Sequence, residues 1–438
     1  MKTNYLKYLQ RVLFFSYLLF FVCLVFSFRG FSSISIGIII LVSLVKNKVE
    51  TGRLFHPNVY NGLFISCSVF YLFQVILLLT SHNQSEAIRQ IQLKSGLLFV
   101  PLALCCSNYI TYTVLQKLMK YYVLIIAAAL FYCLIIAAYN YFTIENNSHL
   151  FFYHELVKPI QQHAVQVSIL VFIGVIHLLE TAKKGLYLKN KLIHFTLLLF
   201  FTIMLLLLSC KLVILFTAGC FLYYLFLFYQ TTLQLKSLSL VAIVTALVMM
   251  SFVIFTKNQV SKRFNEILDN NFNLVSQQKF DPAIYFNGVQ FRLLQARFVT
   301  EILDEKDAWF SGVTTDAQKL LVQKYTASNM YLGNGKDDHG YTEYNTHNQF
   351  LESLLQTGIF GLVAYITIFA SMIRLAVKRK NRELTFVIAL ILSYSLKESV
   401  LERQYGIMIF TFFPLLFYFG KKKKLISRSS AKTLPEVN

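Results

Sequence analysis

The segment Tyr344–Phe369 reads YNTHNQFLESLLQTGIFGLVAYITIF. A polar cluster centred on a histidine runs straight into a long apolar stretch carrying two glycines. Comparable apolar runs of 16 or more residues recur along the 438-residue chain. Charged residues make up 14% of the sequence, about half the share of a soluble domain, so the runs are read as membrane spans. Lipid admits helices or closed barrels only, and these runs are continuous rather than alternating, so helices are predicted. The expected fold is all-α, a polytopic transmembrane helical bundle of about 12 spans with one large loop carrying surface helices.

Hydropathy places spans near 12–28, 31–45, 60–80, 95–110, 119–141, 165–181, 191–209, 211–229, 238–256, 348–373, 384–399 and 404–420. An even count puts both termini on one side. Lys46, Lys48 and Arg53, Lys117 and Lys120, Lys183 to Lys191, Lys236, and Arg374 to Arg382 then fall in loops on that same side, with Lys421–Lys424 in the tail. The positive-inside bias makes this side the cytoplasm. Residues 1–256 thus hold nine spans, 257–346 one large extracytoplasmic loop, 347–420 three more spans and 421–438 a basic cytoplasmic tail. The N-terminal Lys2, Lys7 and Arg11 precede an apolar run without a small-residue cleavage site, so that run is expected to be the first span.

The net charge of +20 does not indicate nucleic acid. From Lys257 to Thr346 there are 10 basic and 11 acidic residues, so the large loop is nearly neutral. The seven cysteines lie in or beside apolar runs and none is in the large loop, which excludes a disulfide framework there. Within that loop, FRLLQARFVTEILDE has helical apolar spacing and is expected to lie along the membrane surface, with Trp309 as an interfacial anchor.

Thr346 and Gln349 form a capping-box pattern, which predicts Thr346 as N-cap and His347 in the first turn. The amides of such a turn favour an anion and a neutral imidazole. Asn348, Glu352 and Gln356 recur every four residues as a polar stripe, and Gly358 with Gly361 would admit a closely packed helix. Asn345 stands beside the histidine. Cations occupy other outer positions: Lys94 opening the fourth span, Lys211 in a tight turn, Arg292 and Arg297 on the loop helix, and Arg403 before the last span. A snorkelling lysine or a capping histidine would satisfy any one of these places alone. Together they suggest a bound lipid-linked phosphate or pyrophosphate.

The stretch YNTHNQFLESLLQTGIFGL, preceded by a loop opening at FRLLQARFVTEIL and AWFSGV, resembles the O-antigen ligase and polymerase superfamily of bacterial surface-glycan assembly. Arg292, Gly312, His347, Asn348, Phe350, Leu351, Gly358 and Gly361 occupy the family's motif places, and the likeness is specific over residues 285–365. LLSCKLVIL and LKESVLERQYGIMIF resemble further family segments. The family's His-Pro-x-Tyr segment is missing; KPIQQHAVQVS stands there, so His163 reads as a structural histidine at a helix start.

The resemblance implies a GT-C-like membrane glycosyltransferase. It would move a glycan from an undecaprenyl-pyrophosphate donor to an acceptor hydroxyl on lipid A-core or another glycan, with inversion and without cofactor or metal. Lys336–Gly340 (KDDHG) is the one metal-like cluster, and a solvated turn explains it as well. His347 and Arg292 are expected to be catalytic. Lys211, Arg403, Lys94, Asn345, Asn348, Glu352 and Arg297 are expected to bind substrate. Ligase and repeat-unit polymerase remain open alternatives, as does a transporter from a different functional class.

Overall fold

The computed structural model describes residues 2–81, 83–188, 190–229, 272–335 and 338–420. The expected span 238–256, the start of the large loop, the basic tail and part of the Lys336–Gly340 turn lie outside them. The described residues are all-helical. The bundle comprises α1 (Lys2–Val25), α2 (Arg29–Thr51), α3 (Gly62–Leu79), α4 (Gln84–Lys94), α5 (Gly96–Cys105), α6 (Tyr112–Thr143), α7 (Ala164–Lys183), α8 (Lys191–Leu207) and α9 (Lys211–Tyr229). The loop contributes α10 (Gly288–Glu305) and α11 (Ala317–Ala327), and the chain returns as α12 (Gln349–Arg379), α13 (Arg382–Ser395) and α14 (Gln404–Phe419).

Every expected span among the described residues overlaps a helix, but six helices are long and apolar enough to cross a membrane: α1, α2, α3, α6, α7 and α12. The fourth expected span is the 10-residue α5, and α4 before it is an amphipathic helix that hydropathy does not reveal. Helices alternate between two ends of the bundle. Lys7, Arg11, Lys46 and Lys117 gather at one end, and Lys184, Lys380 and Arg382 share another cavity beside the start of α6. The basic loops separated along the sequence therefore meet in space.

Two helices form the centre. α7 is buried along nearly its whole length, and α14 is buried from Tyr405 to Tyr418. Around them Phe20, Phe21, Phe412 and Phe413 interlock with Tyr122 as edge-on and stacked rings. Both central helices begin at the end that carries the large loop.

The loop has its own core: Phe286, Phe291, Leu294, Phe298, Ile302, Leu321 and Tyr325 pack together. The apolar face of the 288–305 helix is turned into this core. Its apolar stripe is covered by α11 and loop aromatics, and a period of 3.6 cannot distinguish a core face from a lipid face.

α12 is not one continuous helix. Gly358 has φ 64° and ψ −167°, a conformation open only to glycine. In an unbroken helix Ile359 N–H would donate to the Leu355 carbonyl. Here Ile359 N donates to Trp309 O at 2.8 Å, and Val313 N donates to Leu355 O at 2.8 Å. The 309–313 segment thus fills the missing rung. A Cβ on Gly358 would sit 2.2 Å from Phe310 O, and one on Gly312 2.4 Å from the Gln356 carbonyl carbon. The expected helix-packing notch at Gly358 is therefore a loop-insertion site; only Gly361 faces a helix, with Phe73 of α3 3.4 Å from its ideal Cβ.

Candidate functional site

The start of α12 is capped by Asn348, whose side chain accepts from Phe350 N at 2.9 Å and Leu351 N at 3.3 Å. This corrects the expected Thr346 cap. Asparagine is an equally strong N-cap and lies nearer the helix. His347 consequently sits just outside the first turn, at φ 44°, with its backbone N–H held by Asn345 Oδ1 at 3.0 Å. Thr346 instead donates from Oγ1 to Glu352 Oε2 at 2.7 Å.

The turn between α13 and α14, residues 396–403, docks against this start. Leu401 N donates to Gln349 Oε1 at 2.7 Å, and Ser399 Oγ donates to Asn345 Oδ1 at 3.2 Å. The docking brings Glu398 beside the histidine, with Oε2 3.1 Å from His347 Nδ1. A carboxylate accepts only, so Nδ1 carries the hydrogen and Nε2 is left as the acceptor. Nε2 is buried without a hydrogen-bond partner among the described residues.

Arg292 reaches the same turn from the loop helix. Its Nη2 donates to Lys397 O at 2.8 Å and stands 3.9 Å from Glu398 Oε1, so Glu398 bridges His347 and Arg292. Burial raises the Glu398 carboxyl. The His347 hydrogen bond and the charge of Arg292 outweigh this and hold it below the usual carboxylate range.

His347 and Asn345 line a cavity of about 420 Å³ with Tyr344, Glu398, Arg403 and His163. A neighbouring cavity of about 410 Å³ shares Arg403, His163 and Gln166 with it and adds Arg29, Arg89 and His154. Three arginines and one carboxylate, Glu402, therefore line the second space, with Arg89 paired to Glu86. The two central helices open here as well: His163 is the N-cap residue of α7 and Arg403 that of α14. Arginines and helix N-termini together make this an anion-binding region. Burial, with His154 and Arg403 nearby, lowers His163 to about 4, so its ring is neutral and accepts from Val165 N.

The other expected site residues fall elsewhere. Lys94 is 2% exposed, bonded to Gln356 Oε1 at 2.6 Å and paired with Glu402 Oε1 at 3.1 Å. Glu352 is buried under Thr346 and accepts from Gln356 Nε2 at 2.7 Å. The predicted polar stripe is thus an internal network beneath the cavity. Arg297 ties the 272–276 turn to α10, donating to Gln277 O at 2.7 Å and pairing with Glu301 at 3.1 Å. Lys211 opens α9, next to Cys210. Glu398, Arg29, Arg89 and His154 were not singled out from the sequence. Glu398 had one signal, a carboxylate in the short polar turn between two apolar runs.

The fold and this site define a multi-pass membrane protein with a histidine–carboxylate pair beside a cationic recess. Residues 195–366 match the family model described as O-antigen ligase, which supports the O-antigen ligase superfamily and a glycan-transfer function in a membrane. The matched segment contains Arg292 and His347 and ends before Glu398 and Arg403. A search of curated proteins found no match.

Proposed function

We propose that this protein moves a preassembled glycan from undecaprenyl pyrophosphate to an acceptor hydroxyl at the periplasmic face of the bacterial inner membrane. The observation that carries this reading is the His347–Glu398 pair at a cavity that continues, past Arg403, into an arginine-lined recess. His347 Nε2 takes the proton of the acceptor hydroxyl as its oxygen attacks the anomeric carbon. The bond from that carbon to the pyrophosphate oxygen breaks, and its electron pair leaves on that oxygen. Attack opposite the leaving group inverts the anomeric centre.

Arg403, with Arg29 and Arg89, would stabilise the charge growing on the pyrophosphate. Arg292 then serves by fixing the Lys397–Glu398 turn, and Asn345 by holding His347. Asn348 caps α12, Lys94 and Glu352 support the cavity floor, Arg297 braces the loop helix, and Lys211, at the start of α9, would add a further cation for the donor.

Lipid A-core is the acceptor we favour, because the matched family is described as O-antigen ligase. Deleting the gene and resolving surface glycans on a gel tests this: loss of all glycan on the core is expected of a ligase. A core capped by a single repeat identifies a polymerase instead. A buried pair within the bundle, His177 Nδ1 and Glu383 Oε1 at 2.7 Å, would favour transport. Liposome flux without transfer activity would establish that alternative.

A further inference from the structure

A cavity of about 880 Å³ lies at the opposite end of the bundle from the histidine site, and the transfer reaction has no use for it. Three elements build it: α1 with Lys7, Arg11, Phe14 and Phe15, α2 with Lys46 and Glu50, and the α5–α6 turn with Asn108 and Thr111, continuing to Lys117. Four cations thus face a single carboxylate. Lys46 is 2% exposed, and its ammonium is held between Glu50 Oε2 at 2.6 Å and Asn108 Oδ1 at 3.0 Å. Lys46 and Glu50 thus form an ion pair in the wall, beside the other cations Lys7, Arg11 and Lys117.

The 32-residue α6 also starts here, capped by Thr111, so the positive end of its dipole adds to the same field. One side of the cavity is apolar. Phe14 lines it and packs edge-on against Tyr121 at 5.7 Å, and Phe15 is 65% exposed on the bundle surface. Cations and a helix N-terminus call for phosphate oxygens, and an exposed aromatic flank calls for acyl chains.

We propose that this cavity binds the headgroup of an anionic phospholipid, with its phosphate between Arg11, Lys117 and the α6 N-terminus and its chains along Phe14 and Phe15. The volume leaves room for a glycerol-linked headgroup, far more than inorganic phosphate fills. The site would couple bundle stability to the anionic lipid content of the surrounding leaflet.

The full chain, purified in neutral detergent, is titrated with dioleoylphosphatidylglycerol, dioleoylphosphatidylcholine or inorganic phosphate. Native mass spectrometry and thermal unfolding read the result. Phosphatidylglycerol is expected to bind and raise the melting temperature, and neither of the other additives should do so. Arg11→Gln with Lys117→Gln, both at exposed positions, should weaken phosphatidylglycerol binding about tenfold or more while melting like wild type in phosphatidylcholine. Equal binding of the two lipids, or unchanged binding by the double variant, overturns the proposal. A matching response to inorganic phosphate overturns the lipid assignment and leaves a soluble phosphate site.

Discussion

Replacing Glu398 with glutamine tests the proposed transfer site at one atom. The carboxylate is 3.1 Å from His347 Nδ1 and 3.9 Å from Arg292 Nη2, and its pKa is held below the usual range. Glutamine keeps the shape and an acceptor oxygen but removes the charge that steadies the imidazolium formed during transfer. A charge-assisted hydrogen bond contributes about 1.5–3 kcal/mol, which converts to a roughly 10- to 150-fold lower kcat. The donor KM should change little, because the ground state does not carry the charge. Glu398→Ala also frees the ring to rotate and should approach the full loss of a general base, about 10²- to 10⁴-fold.

The assay is single-turnover transfer of a labelled glycan from its undecaprenyl-pyrophosphate carrier, in proteoliposomes, with folding checked by thermal unfolding. The pH dependence has a definite sign. A depressed carboxyl contributes above its unfolded value and is lost only as pH falls through the lowered folded value. The wild-type pair therefore survives below the ordinary carboxylate range, and the glutamine variant has no such acid limb. A glutamine variant within about twofold of wild type would refute the dyad.

Three further outcomes are expected. His163 is lowered to about 4, so between about 6.5 and 4 the unfolded chain binds a proton that the folded chain does not, and stability falls as pH drops through that window. His163→Gln should remove at most about 2 kcal/mol of that loss at pH 5, read as a smaller difference in Tm between pH 7 and 5. Lys94→Ala takes the ammonium from Glu402, which keeps its hydrogen bond from Gln356 Nε2 at 3.1 Å, and should cost about 1–3 kcal/mol; Lys94→Met with Glu402→Gln should restore both stability and transfer if the lysine is structural. Gly358→Ala forces a side chain into the Phe310 carbonyl at a φ of 64° and should cost at least about 2 kcal/mol, with faster proteolysis near residue 310 as the readout.

Much of the architecture was legible because apolar runs and basic loops are local signals. The alternation of Lys46, Lys117, Lys184 and Arg382 with the apolar runs anticipated which turns would meet at one end. His347, Asn345 and Arg403 were read as neighbours, and they line one cavity. The His347–Glu398 contact was not legible. It joins residues 51 apart through a turn with no periodicity. Lys94 looked like an outer-face cation because its partner, Glu402, lies in a different hairpin. The break at Gly358 was hidden because glycine in an apolar helix reads first as a packing notch, and only the close approach of residues 309–313 reveals the kink.

That inserted rung divides the loop into fixed and exchangeable parts. Residues 309–313 are tied into the break in α12, and Asn345 to Gln349 are tied to the Ser399–Leu401 turn. Between the two anchors, the chain carries Asp338, His339, Gly340 and Glu343 along the cavity rim without contributing to the histidine–carboxylate pair. The rim residues of this stretch can vary without disturbing that pair, whereas Leu321 and Tyr325 within it belong to the loop core. Exchanging the rim residues Asp338, His339 and Glu343 between homologues, with the core residues Leu321 and Tyr325 kept, would therefore test acceptor choice under the proposed function.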